Sequence, residues 1–365
     1  MTAGECLAAV KTGPGRTRLR RLPLPDVRDA GGLLRVEASG VCGADVAWYA
    51  ADDLPTRQPV VLGHHVVGTV EKISEPAAER LGLAPGDRVM VEEYLPCGVC
   101  VPCRSGAPRL CPASAPTGDT RRYGSTPVTV GPGLWGGYSQ YLYLDERAMT
   151  HRLPPDLPTE LATLVFPLAN GITWVRAAGA GPGDHVVVIG PGQMGLSCVV
   201  AARAAGVAHI TVLGRDGDDA RLALARRLGA DHATTDPADL RRVVAEATGG
   251  RMANAVVETA SGTAQTLDLA VDLLGVDGTL ALAQWPPGRT GVDLPALAGK
   301  RLTVTTVRGR DDASIRRAIE LVRRDAARLG RMCSGIVELE GLHDVLVALA
   351  SAAGRSDLVH VSVRG

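Results

Sequence analysis

Up to about residue 160, apolar positions alternate with polar ones in short runs broken by glycine and proline: LLRVEA at 33–38, VVGTVEKI at 66–73, DRVMVE at 87–92 and YSQYLYL at 138–144. A period of two between turn residues predicts half-buried strands, and several short ones in succession predict a β-rich, barrel-like first domain over residues 1–160. The opening MTAGECLAAVKTGPG reads as one more strand and turn. From 161 to about 305 the pattern changes. HVVVIG (185–190) is a continuous apolar strand, LSCVVAARAAG (196–206) a helix closed by glycine, and HITVLG (209–214) a second strand. RLALARRLGA and TLDLAVDLLG then predict helices, and ANAVVETA, TLALAQW and RLTVTTV predict strands. Strand and helix in alternation predict a doubly wound parallel sheet, so the fold class is α/β. Residues 306–365 hold a helix at about 312–328 and a strand near 358–363, too short to fold alone, and are expected to return to the first domain. The stretch 115–134 reads as loop.

A chain of 365 residues, 45% apolar and 21% charged, has room for two domains with sizeable cores. Basic and acidic residues balance at 39 each, which argues against a nucleic-acid partner that is held by neutralising phosphates. A small-molecule substrate is expected instead. No apolar run reaches the roughly 18 residues that span a bilayer, and the N-terminus lacks the basic and apolar regions of a signal peptide. These features predict a cytoplasmic protein with no membrane partner. Four of the eight cysteines are clustered, and in a reducing compartment such clustering points to metal.

Two motifs carry chemistry. GPGQMG places Gly190, Gly192 and Gly195 directly after a buried-type strand and at the start of a helix, the context that a dinucleotide fingerprint requires. Gly190 would permit the tight turn, Gly192 the close approach of backbone to pyrophosphate, and Gly195 close helix packing, with the amides of Gln193 and Met194 facing the phosphates. At the end of the second strand the position for a ribose-binding carboxylate is Gly214, followed by Arg215, which favours NADP(H) over NAD(H). The competing reading is a turn in which Asp216 or Asp218 bends back to the ribose. Cys97, Cys100, Cys103 and Cys111, in a lobe at about 92–115, have the spacing C-x2-C-x2-C-x7-C and suit one structural zinc better than an iron–sulfur cluster.

With SGVCGADV at 39–46, GHHVVGTV at 63–70, PGDRV at 85–89 and GGYSQY at 136–141, these motifs stand in an order that resembles the zinc-containing alcohol dehydrogenases of the medium-chain dehydrogenase/reductase superfamily. The likeness covers nearly the whole chain and looks closest to the sorbitol and threonine dehydrogenase branch. It implies a GroES-like β-barrel catalytic domain, a Rossmann domain, a homodimer or homotetramer, and an oxidoreductase interconverting an alcohol and a carbonyl. It also implies a catalytic zinc on Cys42 and His64, with Asp45 orienting the histidine ring, and Asn170 near the nicotinamide.

Three positions depart from that pattern. The family's Gly-His-Glu is Gly63-His64-His65, an acidic ligand is replaced by Phe166 in VFPLAN, and the hydroxyl residue that relays the alcohol proton is Ala44. One reading is a rebuilt zinc site on Cys42, His64 and His65, which requires the chain to bend because adjacent strand residues point to opposite faces. Another is loss of that zinc, giving a reductase of an iminium or conjugated C=C bond with His65 or Tyr49 as proton donor. A third is a dehydrogenase-fold binding protein without catalysis. Phe166, Trp48, Tyr49 and Trp135 are candidates for an apolar substrate pocket or for core.

Overall fold

The computed structural model describes residues 4–51, 59–115, 120–260, 262–285, 289–351 and 357–365, so residues 116–119 of the expected loop lie outside it. The chain divides into two compact units, Met1–Leu164 with Cys333–Gly365, and Val165–Met332. Only the part from Cys333 onward belongs with the first unit. The helix Asp312–Arg324 stays in the second, which corrects the expectation that everything after 306 returns. That helix buries Ile315, Ala318, Leu321 and Val322 along one stripe, and Ser314 meets Thr173 at 2.9 Å, so its apolar face is satisfied within the second unit.

The first unit is built mainly on antiparallel strands, with Cys333–Val337 parallel to His360–Val363. One sheet runs Cys333–Val337, His360–Val363, Gly32–Gly40, His65–Ile73, Arg88–Val91, Thr150–Arg152, with Tyr141–Leu144 also on Gly32–Gly40. A smaller sheet joins Arg16–Pro23, Glu5–Gly13 and Val60–Val61. The alternation read from the sequence is visible as burial: Val66, Val70, Val89 and Val91 enclose one core with Trp135 and Tyr123. Trp135 is fully buried and its Nε1 donates to the Val130 carbonyl at 2.8 Å, so of the two alternatives for this ring the structure selects core.

The second unit holds a six-stranded parallel sheet in the order His232–Thr234, His209–Leu213, His185–Ile189, Ala253–Glu258, Leu274–Leu282, Thr303–Thr306. Numbered along the unit this is 3-2-1-4-5-6, the dinucleotide-binding order, and the direction of winding reverses between the strands His185–Ile189 and Ala253–Glu258. All five residues of His185–Ile189 are buried, as expected of a strand covered by helices on both faces. The helix Thr159–Ala177 passes from the first unit into the second. Among the described residues, no helix is long and apolar enough to cross a membrane.

Candidate active site

In the first unit, Cys42 is the N-cap of the helix Gly43–Ala50, and its backbone N–H donates to the Asp45 carboxylate at 2.9 Å in a capping box. Asp45 is fully buried and accepts three more hydrogen bonds: from Gly63 N at 3.2 Å, His64 Nδ1 at 3.1 Å and the Tyr138 hydroxyl at 3.0 Å. The carboxylate therefore fixes the helix start, the turn before His64 and the orientation of the His64 ring, so that when the ring gives up one proton to a metal the other stays on Nδ1 and Nε2 carries the lone pair. Burial opposes charge on that ring, but Asp45 and Cys42 outweigh it and hold the imidazole pKa well above its usual value.

The bend that a shared site requires lies at Gly63. Its φ of +88° is left-handed, and a Cβ there would meet the Tyr138 ring at 2.8 Å, so only glycine turns the chain at this point. His64 precedes the strand, whereas His65 opens it and pairs with Gly40. The two rings come to 4.6 Å between centroids at 73°, and one donor atom each from Cys42, His64 and His65 lie within 4.8 Å of one another. One thiol and two imidazoles converging in this way fit a zinc with a fourth position open to a small ligand. Trp48 is half-buried with its ring 5.8 Å from that of His64. Tyr49 is not a spare proton donor: its hydroxyl lies 2.6 Å from the Gly15 carbonyl and 2.5 Å from His343 Nδ1.

The cysteine lobe brings its sulfurs together. Cys100 Sγ lies 3.4 Å from that of Cys103 and 3.7 Å from that of Cys111, and all four thiols lie within 4.8 Å of one another. Four sulfurs about 2.3 Å from one zinc stand roughly 3.8 Å apart, so the set fits a closed tetrahedral site. The backbone amides of Val99 and Cys100 hold the Cys97 thiol down to about 6, toward the thiolate that a metal takes.

In the second unit the fingerprint glycines stand where the strand His185–Ile189 turns into the helix Gln193–Ala204. Gly190 has φ +98°, and a Cβ there would meet Ala260 at 2.9 Å. Gly192 is the N-cap of the helix Gln193–Ala204 and a Cβ there would meet nothing within 4 Å, leaving backbone open to a ligand. A Cβ on Gly195 would stand 1.8 Å from the Gly190 carbonyl oxygen, so the helix packs on the turn only without a side chain. Asn170 is buried, its Nδ2 contacts Met194 Sδ at 3.7 Å, and its Oδ1 is a buried acceptor with no hydrogen-bond partner. An open N-terminal turn beside an orphaned acceptor fits a dinucleotide.

Past Gly214, the carboxylate of the buried Asp218 accepts from Arg215 N at 3.1 Å and lies 3.3 Å from the Arg221 guanidinium. Phe166 is fully buried with the Arg310 guanidinium 5.2 Å above its ring, an enclosed side chain that offers no ligand.

Residues 29–155 match the alcohol dehydrogenase GroES-like domain and residues 194–324 the zinc-binding dehydrogenase domain. A protein of Mycobacterium tuberculosis (strain CDC 1551 / Oshkosh), described as a probable alcohol dehydrogenase, is 38% identical over 357 residues, which is 94% of each chain. The chain belongs to the zinc-type medium-chain alcohol dehydrogenase family. The fold agrees: an alcohol dehydrogenase of Thermotoga maritima superposes with a TM-score of 0.87 over 99% of both chains at 23% identity. A zinc-binding dehydrogenase of Sinorhizobium meliloti 1021, solved with NADP bound, gives 0.84 over 99% of this chain and 100% of the other at 25% identity.

This medium-chain dehydrogenase is therefore an NAD(P)-dependent oxidoreductase of the alcohol dehydrogenase type, built as a GroES-like domain and a Rossmann domain, with a cysteine lobe fit for structural zinc. Sequence reasoning missed Tyr138, whose GGYSQY motif was visible without a role, and Glu258. The Glu258 carboxylate is fully buried at the end of its strand and accepts from Ala260 N at 3.1 Å and Gly262 N at 3.0 Å, shaping the loop against which Gly190 packs. Gly195→Ala forces a methyl into the Gly190 carbonyl, an overpacking that costs about 1–3 kcal/mol. Calorimetric titration of the dehydrogenase is expected to show the dinucleotide Kd raised about tenfold or more, with zinc content unchanged. A normal Kd would mean that the turn relaxes at no cost.

Proposed function

We propose that this dehydrogenase transfers hydride between NADP(H) and a small alcohol or carbonyl compound at a site rebuilt around Cys42, His64 and His65. The convergence of those three donor atoms within 4.8 Å of one another carries the reading, because it gives three protein ligands without any contribution from position 166. When bound there, zinc supplies a Lewis acid for the substrate oxygen. Asp45 keeps the His64 proton on Nδ1 and the ring in place, and Gly63 delivers His64 and His65 to the same point. Ala44 has no hydroxyl and Tyr49 is engaged elsewhere, so the substrate proton leaves through water or a cofactor hydroxyl. Gly192, Gln193 and Met194 would hold the pyrophosphate of the cofactor, and Asn170, whose Oδ1 is a buried acceptor, would hold its nicotinamide end.

The preference for NADP(H) rests on Arg215, exposed at the strand end, and on Arg221, which offsets the charge of Asp218 while the Arg215 amide occupies its carboxylate. Arg215→Ala is expected to lower the ratio of kcat/KM for NADPH over NADH by about tenfold, the worth of one charge-assisted contact of about 1.4 kcal/mol. Metal analysis is expected to find about two zinc ions per chain, falling to about one in His65→Ala, with ketones reduced by the intact protein. One zinc per chain in the intact protein, or turnover confined to imines and conjugated enones, overturns the rebuilt site. Cofactor binding without any turnover overturns the enzyme.

A further inference from the structure

One carbonyl of the Gly190–Gly195 turn must be kept away from a bound anion. The peptide between Gly190 and Pro191 has no N–H, because proline lacks one, so it can offer an anion only the negative end of its dipole. The amides of Gln193 and Met194 are different, since they open the helix Gln193–Ala204 and have no acceptor within it. The structure turns the Gly190 carbonyl inward. A Cβ placed on Gly195 would stand 1.8 Å from its oxygen and 2.9 Å from Thr259 Oγ1, so carbonyl, helix backbone and threonine hydroxyl meet at one point.

The Thr259 hydroxyl lies 3.0 Å from the Gly190 oxygen and 2.9 Å from that of Ile189. Ile189 O already accepts the Thr259 backbone N–H at 2.9 Å, whereas among the described residues no backbone amide donates to Gly190 O. A hydroxyl has one proton to give, and at Gly190 it meets an acceptor that is otherwise unserved. Thr259 is itself held in place, all within the second unit. It follows Glu258, which ends the strand Ala253–Glu258 opposite Ile189, at the point where the winding of the sheet reverses. The Glu258 carboxylate then fixes the next turn through Ala260 N and Gly262 N.

We propose that Thr259 is a positioning residue for the dinucleotide, its hydroxyl holding the Gly190 carbonyl away from the space that the pyrophosphate takes. The inference rests on the reading that this turn holds the cofactor. Without the hydroxyl, the Gly190 oxygen regains a partner only by drawing toward water at the C-terminal ends of the strands, which shifts the turn, and Gly190 has no side chain to resist the shift. Binding must then move the turn back. With the hydroxyl in place the turn stands ready, and the whole binding energy appears as affinity.

The test is calorimetric titration of full-length Thr259→Val, which keeps the branched shape and removes the donor. Its Kd for NADPH and for ADP-ribose, both of which carry the pyrophosphate, is expected to rise about tenfold, the effect of one unserved acceptor. The displacement constant of adenosine 2′-phosphate, which has no pyrophosphate, should stay within about twofold of the parent value. Thr259→Ser, which restores the hydroxyl, should bind all three ligands as the parent does. Should Thr259→Val fail to fold, Thr259→Ala carries the same comparison with serine. Equal weakening of all three ligands, an unchanged Kd for NADPH, or no rescue by serine overturns the role of Thr259. A parent protein that binds no NADPH overturns the dinucleotide reading itself, and this role with it.

Discussion

Asp45→Asn is expected to lower stability by about 3–5 kcal/mol and metal affinity at the Cys42 group by about 10–100-fold. The reason is the number of donors aimed at one buried carboxylate: Cys42 N, Gly63 N, His64 Nδ1 and the Tyr138 hydroxyl. Hydrogen bonds to a buried charge are worth about 1.5–3 kcal/mol each, and an amide keeps one accepting oxygen while turning an NH2 toward a donor. Tyr138→Phe removes only one of the four and should cost about 1 kcal/mol. Urea unfolding and competition with a chromophoric chelator read the two effects separately. An asparagine variant with unchanged midpoint and unchanged metal affinity would show that Asp45 does not frame the site.

Removing metal from the cysteine lobe is expected to melt it and to weaken the barrel beneath. Across residues 96–115 only Cys111 and Ser114 are buried, while Val99, Val101 and Leu110 are 71%, 71% and 58% exposed, so the lobe has no apolar core of its own. Metal must supply what burial does not, and in zinc-finger peptides that contribution is about 10–16 kcal/mol. The lobe is tied to the barrel through Arg109, whose guanidinium makes two hydrogen bonds, at 2.9 and 2.5 Å, to the fully buried Glu92, which also meets His151 Nε2 at 2.8 Å. When the lobe unfolds, Glu92 loses its guanidinium, a loss of about 3–5 kcal/mol for a buried pair. Chelation or Cys100→Ser should therefore open Arg104 and Arg109 to trypsin at least about 100-fold faster and lower the Tm of the whole protein. A chelated protein with unchanged cleavage and Tm would show that the lobe stands without metal.

Most of the site's chemistry was legible because it depends on residue type at fixed spacing. The three glycines of the fingerprint, the four cysteines, and Cys42 with Asp45 and His64 each have a short-range signature, and the strand alternation follows from burial of one face. What was hidden has physical reasons too. The helix Thr159–Ala177 carries no amphipathic period because residues 161–171 are buried on every side, and Pro167 stands within it. The strand Arg16–Pro23 has almost no buried residue, so it shows no alternation and is held by pairing with Glu5–Gly13. The Gly63 bend was invisible because a glycine in sequence does not announce the sign of φ.

The interrupted course of the first unit bears on how the chain matures. The Rossmann unit is one contiguous stretch, so all of its partners have been synthesised before the tail from Cys333 appears. The barrel must wait: His360–Val363 pairs with Gly32–Gly40 across almost the full length of the chain, with Ser362 opposite Gly40. Such a high-contact-order closure is slow, and until it happens the edge of Gly32–Gly40 offers unpaired amides to any neighbouring strand. On the ribosome, the nucleotide-binding half folds first and the metal-binding half stays exposed to aggregation until His360–Val363 has emerged.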